Sequence, residues 1–247
     1  MENDKTNNKR NFAEKPDYPF AVLREGSDFK GNKSKFYHIP DEDTVIRKSF
    51  VNVHGEGSEK MDIHERAEYL QEQVNEFKKI VGEYGIRMAK TDYVIGTDPE
   101  ENRPAIFGVT ERIEGENLEK MAVLDKETAE KVDDLYAKLI ACFTESYLKN
   151  FYFWFDPKNE QFVFGKAQRD EKPDIYLVDV DPNIVKWDNQ ELQKELKVKG
   201  KKELFWRKMN WLRTEMSDME RKVNEKGFTF TRAREALEKA KMEIPNT

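Results

Sequence analysis

The chain has 247 residues, of which 43 are Lys or Arg and 49 are Asp or Glu, giving a net charge of −6. This length fits one large domain or two small lobes, and 12% aromatic residues indicate a folded protein. An acidic chain repels a phosphate backbone, so no nucleic-acid partner is expected.

The strongly apolar run 151–155 is far shorter than the roughly 20 residues that cross a bilayer. Residues 1–5 lack the basic and apolar regions of a signal peptide. These features predict a cytoplasmic protein without a membrane partner.

The first part of the chain reads as a strand-rich lobe. Residues 1–17 are polar and aperiodic, which predicts a disordered tail. Short apolar runs between Gly- and Pro-containing turns then predict three antiparallel strands, at 20–23, 35–39 and 44–50. A helix with one apolar face follows, from a cap at Asp62 to about Tyr84, and Gly85 can end it. The lobe, 18–110, is completed by two more strands, at 93–95 and 105–110.

The second part of the chain is mainly helical. Residues 111–115 are the expected hinge between the first lobe and a second lobe at 116–247. The clearest helix, 125–149, repeats its apolar residues at i, i+3, i+4 and i+7. The elements that follow are a two-strand hairpin at 161–164 and 174–179 and helices at about 204–224 and 231–242, with Thr231 as a candidate cap. Strands first and helices later predict an α+β fold rather than a doubly wound parallel sheet.

Three carboxylates frame the predicted hairpin. Asp156 precedes its first strand, and Asp179 and Asp181 end its second, so the hairpin brings all three toward one edge. Asp179 and Asp181 are two residues apart and share a face if the strand continues. Such paired oxygens suit Mg²⁺ bound to a substrate's phosphates. The alternative interpretation is that these are turn acids, with Pro182 ending the strand.

The order of these motifs resembles the protein kinase-like superfamily, including its aminoglycoside phosphotransferase and other small-molecule kinase branches. The resemblance covers about 18–190 and is carried by 45–48 (Val-Ile-Arg-Lys), the hinge, the long helix, 156–161 and 179–181. It implies a two-lobed fold, with a five-stranded N-lobe that contains one helix and a reduced, mainly helical C-lobe.

The resemblance also implies a nucleotide site with ATP and Mg²⁺ as its ligands. Lys48 matches the third-strand lysine that holds the α- and β-phosphates. Gly26 and Gly31 delimit the loop that would cover the phosphates, and Glu111 and Ile113 in the hinge are expected to contact the nucleotide.

Catalytic and metal-binding roles follow from the same resemblance. Asp156 matches the catalytic-loop aspartate that accepts the acceptor's proton. Gln161 falls where the family usually has a metal-binding Asn, and Asp179 falls on its metal-binding Asp, with Asp181 two residues later. Glu68 is the acid of the first helix whose phase best suits a pairing with Lys48.

Departures from the family pattern leave the function open. The family's His-Arg or His before the catalytic Asp is replaced here by 153–155 (Phe-Trp-Phe), and its Asn is replaced by Gln161. The leading hypothesis is ATP- and Mg²⁺-dependent phosphotransfer to a hydroxyl of an unidentified small-molecule or protein acceptor. The alternative is a pseudokinase, a nucleotide-binding or nucleotide-free protein-interaction module. A structural protein with an unrelated mixed fold is the third possibility.

Overall fold

The computed structural model describes residues 62–97, 102–149, 157–168, 170, 172–178 and 200–245, and the backbone of 36–38 and 44–48. These residues form an α+β fold, as predicted. The α-helices are α1 (Ile63–Glu83), α2 (Lys126–Leu148), α3 (Lys201–Arg221) and α4 (Thr231–Glu243). The strands are β1 (Phe36–His38), β2 (Thr44–Lys48), β3 (Arg87–Met88), β4 (Thr91–Thr97), β5 (Pro104–Glu111), β6 (Ile113–Asn117), β7 (Phe162–Ala167) and β8 (Asp174–Leu177).

The described strands form two four-stranded sheets. The first has the order β1-β2-β5-β4 and is antiparallel throughout. The second has the order β3-β8-β7-β6, in which β3 and β8 are parallel and the other pairs antiparallel. The chain passes from the first sheet to the second at Arg112, between β5 and β6. The predicted strand at 20–23 lies outside the described residues.

One continuous core joins the helices to both sheets. α1 contributes an apolar stripe that is almost completely buried, formed by Leu70, Val74, Phe77 and Val81. Full burial of a side chain of this kind contributes about 1.5–3 kcal/mol. The stripe belongs to the same cluster as Tyr93 and Ile106 of the first sheet and Phe162 and Leu177 of the second. α2 lies in this core and packs against α3 and α4.

The ends of α1 follow from local sequence. Asp62 Oδ1 accepts the amide protons of His64 at 2.8 Å and Glu65 at 2.9 Å, and Glu65 Oε2 accepts that of Asp62 at 3.2 Å. This reciprocal arrangement is a capping box. The helix ends before Gly85, whose φ of 70° lies in the left-handed region. Both predicted ends are confirmed.

The cap of α4 comes from another helix. The prediction that Thr231 caps this helix is wrong, because no side chain of its own N-terminus makes a capping bond. Instead, Asp133 of α2 accepts the amide protons of Ala233 at 2.8 Å and Arg232 at 3.1 Å. Asp133 is buried, so the bonds that start α4 also fix it against α2.

Strand β6 occupies residues that the sequence presents as a connector. Gly115 of β6 lies opposite Gly165 of β7, and a Cβ built on Gly115 would lie 2.1 Å from the backbone oxygen of Phe164. The two strands therefore approach too closely for any side chain at this point. Only a glycine at each position allows the predicted hinge segment to join the second sheet.

Candidate functional site

Many of the predicted site residues lie outside the described part of the chain. These are Gly26, Gly31, Asp156, Asp179 and Asp181. Lys48 is the last residue of β2, and its Cα pairs with that of Phe107 in β5. Among the predicted site residues, the structure describes the side chains of Glu111, Ile113 and Gln161.

The turn that follows Asp156 in the chain meets the end of β8. Residues Asn159–Gln161 form a single 3₁₀ turn, closed by a bond from the Gln161 amide to the Lys158 carbonyl at 3.0 Å. The Gln161 carbonyl accepts the amide proton of Val178 at 3.0 Å. Val178 directly precedes Asp179 in the chain. The backbone therefore brings the predicted ligand Gln161 beside the residue that leads into Asp179.

The Gln161 side chain leaves one polar atom without a partner. Its Oε1 is buried and has no hydrogen-bond partner. An unsatisfied buried carbonyl oxygen of this kind costs about 1–3 kcal/mol. Amide oxygens are suitable ligands for hard cations such as Mg²⁺. The chemistry of this atom therefore fits the metal-ligand role that the sequence resemblance implies.

A second side chain of the turn, Asn159, is fully bonded. Its backbone amide donates to Glu215 Oε2 at 2.9 Å, and its side-chain Nδ2 donates to the Glu215 carbonyl at 3.3 Å. Its Oδ1 accepts the hydroxyl proton of Tyr136. Asn159 is 5% exposed, and burial raises the pKa of Tyr136 far above its ordinary value. Tyr136 on α2 and Glu215 on α3 thus hold the turn between two helices.

An open groove lies on the Asn159 side of this turn. Its volume is about 470 Å³, and its lining residues include Glu119, Asn159, Glu215, Asp218, Arg221 and Lys222. Arg221 pairs with Asp218, and Lys222 Nζ donates to the carbonyls of Leu118 at 3.2 Å and Glu119 at 2.7 Å. Arg221 and Lys222 are therefore engaged within the protein, and so are the carboxylates of Asp218 and Glu215.

The predicted hinge residues lie where the two sheets join. Glu111 ends β5, and its Oε1 accepts the amide proton of Lys90 at 2.6 Å. The Glu111 amide donates in turn to the Lys90 carbonyl at 2.8 Å. Ile113 begins β6, pairs with Ala167 of β7 and is half-buried. The Glu111 carboxylate thus secures the β3–β4 connection.

The acids of α1 differ in burial from the sequence expectation. Glu68, expected to border the packed face, is exposed, whereas Glu76 is half-buried. The reason is Gln73, a polar residue that is only 5% exposed and extends the packed face of α1 beyond its apolar stripe. Glu76 follows Gln73 by three residues, about one helical turn. Glu76, rather than Glu68, is therefore the acid of α1 that borders the packed face.

The described residues were also searched for metal-binding groups and for membrane-spanning helices. They contain no group of three or more His, Cys, Asp or Glu side chains placed to hold a metal ion. In the same part of the chain, no helix is both long and apolar enough to cross a membrane. No protein-family model and no curated protein sequence matches this chain.

Proposed function

We propose that this protein is a kinase-like phosphotransferase that uses ATP and Mg²⁺ and acts on a hydroxyl acceptor in the cytoplasm. One observation carries the proposal: the turn after Asp156 meets the end of β8 before Asp179, and Gln161 buries an unpartnered oxygen there. Phosphoryl transfer needs an acceptor-orienting carboxylate close to metal-binding oxygens. The hydrogen bond between the Gln161 carbonyl and the Val178 amide supports that proximity.

The roles of the chain's residues follow from phosphotransfer chemistry. In the proposal, Gln161, Asp179 and Asp181 hold Mg²⁺, while Lys48 holds the phosphates and Asp156 orients the acceptor hydroxyl and takes its proton. When bound, Mg²⁺ neutralises charge on the phosphate oxygens. Because such catalysis consists mainly of positioning and charge neutralisation, it tolerates the Phe-Trp-Phe sequence before Asp156 better than nucleophilic catalysis would.

The order of elements supports the two-lobed kinase-like fold. β2, which ends at Lys48, is followed by α1, and α1 packs on the first sheet through β4 and β5. The long helix α2 then precedes the β7–β8 hairpin of the second sheet, and α3 and α4 complete the chain. In this reading Glu76 of α1 pairs with Lys48, because it is the half-buried acid of that helix.

Calorimetric titration of ATP with and without Mg²⁺ tests the assigned roles. Asp179→Asn is expected to weaken Mg²⁺-dependent ATP binding about tenfold or more, because changing a residue behind a metal ligand already costs about 10–100-fold in metal affinity. Asp156→Asn should weaken it far less, because Asp156 is proposed to face the acceptor. Circular dichroism would confirm that both variants fold. Equal losses would contradict the roles, and a wild type without Mg²⁺-dependent binding would overturn the proposed function.

The alternative function is a pseudokinase, and it is favoured by the replacement of the family's Asn by Gln161. A measurement of ATP hydrolysis distinguishes an enzyme from a pseudokinase. Gln161→Asn keeps the amide and removes one methylene, so it should improve the metal geometry and raise slow turnover. Each 1.4 kcal/mol gained in the transition state is about tenfold in rate. Asp179→Ala is the matched loss-of-metal control. Mg²⁺-dependent ATP binding by wild type, with no turnover in wild type or in either variant, would identify a pseudokinase.

A further inference from the structure

The segment after α1 connects that helix to the second sheet. Within it, β3 pairs in parallel with β8, Arg87 opposite Tyr176 and Met88 opposite Leu177. The amide of Ala89 donates to the Leu177 carbonyl at 2.9 Å. Because β3 has only two residues, its backbone offers few bonds to fix the position of β8.

A cluster of side chains, the Arg87 cluster, reinforces this short pairing. Arg87 Nε lies 2.9 Å from Asp174 Oδ2, and one terminal nitrogen of Arg87 lies 3.0 Å from the Tyr176 hydroxyl and 3.3 Å from Asp170 Oδ1. The Tyr176 hydroxyl donates to Asp170 Oδ2. Residue Tyr176 is completely buried. The planar guanidinium thus bridges the loop before β8, the start of β8 and its middle, which a lysine ammonium could not do at once.

The C-terminal end of α1, just before Arg87, is held in place by α2. The Tyr84 hydroxyl donates to Glu145 Oε2 of α2 at 2.6 Å, and Lys138 Nζ donates to the Gly85 carbonyl at 3.2 Å. Both contacts lie within three residues of Arg87 and fix the end of α1 on α2. Arg87 therefore links β8 to a fixed point of the fold rather than to a free loop.

We propose that Arg87 is a positioning residue that holds the end of β8, and with it the junction of Gln161 and Val178, in register with α1. Val178 is two residues beyond Tyr176, and a slip of one residue along a strand displaces it by about 3.3 Å. Ion pairs of half-exposed side chains add little to the global free energy of unfolding, and the Arg87 side chain is 48% exposed, so the cluster's main effect is local, on the position and opening of the β8 end. For its effect on metal binding the inference rests on the proposed function; its effect on β8 is independent of it.

Two measurements on three variants test the inference. Arg87→Ala removes the bridge, and Arg87→Lys keeps the charge without the fork. Lys172→Ala, at an exposed position in the loop before β8, is the matched control for loss of one positive charge. The first measurement is hydrogen exchange of the Val178 and Ala89 amides, which report on the β8 end and its pairing with β3. The second is calorimetric titration with MgATP.

Arg87→Ala is expected to speed exchange of both amides about tenfold or more and to weaken MgATP binding by a similar factor, as changes behind metal ligands do. Arg87→Lys should fall between Arg87→Ala and wild type, and Lys172→Ala should match wild type. Unchanged exchange at Val178 in Arg87→Ala overturns the inference. So does unchanged MgATP affinity where wild type binds MgATP. If wild type does not bind MgATP, the proposed function fails and the exchange rates alone decide the role of Arg87.

Discussion

Removal of the buried, hydrogen-bonded side chain of Asn159 should cause a measurable loss of stability. Asn159→Ala is expected to lower the free energy of unfolding by about 3 kcal/mol, on the usual scale of about 1 kcal/mol per hydrogen bond and about 1–3 kcal/mol per orphaned buried group. The variant loses the bond to the Glu215 carbonyl and leaves the buried Tyr136 hydroxyl without its acceptor. The Asn159 backbone bond to Glu215 Oε2 is retained, so the turn should loosen rather than unfold.

A double-mutant cycle with Tyr136→Phe tests the assignment. The Tyr136 ring packs against Phe230 at 6.2 Å between centroids, and phenylalanine keeps that packing while it removes the hydroxyl. Tyr136→Phe alone orphans Asn159 Oδ1, but the double variant orphans neither group of the pair. In urea denaturation, the double variant should therefore lose less stability than the sum of the two single losses, by about 1 kcal/mol or more. Additive losses, or a loss below about 1 kcal/mol for Asn159→Ala, would refute the argument.

Two further predictions concern the contacts of α2. Asp133→Ala should lower the free energy of unfolding by about 2 kcal/mol, because buried amides of α4 lose their acceptor. In the same denaturation experiment, the control Asp134→Ala removes only surface ion pairs and should cost less than about 0.5 kcal/mol. Equal losses for the two variants would contradict the prediction. Burial and the hydrogen bond to Glu145 raise the pKa of Tyr84 above its ordinary value, so its contribution to stability is present below about pH 10 and is lost as the pH rises further. The free energy of unfolding measured from about pH 9 to 11 should fall more steeply in wild type than in Tyr84→Phe, and parallel curves would exclude this role.

The long helices were predictable from sequence because each carries its own signals. α1 combines an apolar stripe with an acidic cap and a terminal glycine, and both its ends agree with the prediction. β3 was missed because two residues are too few to show a period. β6 was missed because Ile113 is the single apolar residue in a sequence that reads as a polar connector. Its place in the sheet depends on Gly165, which is distant in the chain.

The candidate site was predictable only in part for a related reason. The resemblance to the kinase-like family predicts Gln161 as a metal ligand, and the structure adds a backbone bond from its carbonyl to Val178, the residue before Asp179. The bonds of Asn159 to Glu215 and Tyr136 span 56 and 23 residues and follow no sequence period. The sequence does not predict the burial of Glu76, because a helical wheel counts only apolar residues as buried. It therefore places the buried amide of Gln73, and Glu76 next to it, on the exposed face.

The contrast between Asn159 and Gln161 bears directly on function. Asn159 has its backbone amide and both polar atoms of its side chain bonded, whereas Gln161, two residues later, buries its Oε1 without a hydrogen-bond partner. Leaving that oxygen unsatisfied costs about 1–3 kcal/mol, and a cation that binds it offsets the cost. Tyr136 and Glu215 hold the turn that carries Gln161 from two helices, through their bonds to Asn159. In the proposed phosphotransferase, this buried and unsatisfied oxygen would serve the Mg²⁺ site, since groups that are placed in advance need no reorganisation during phosphoryl transfer.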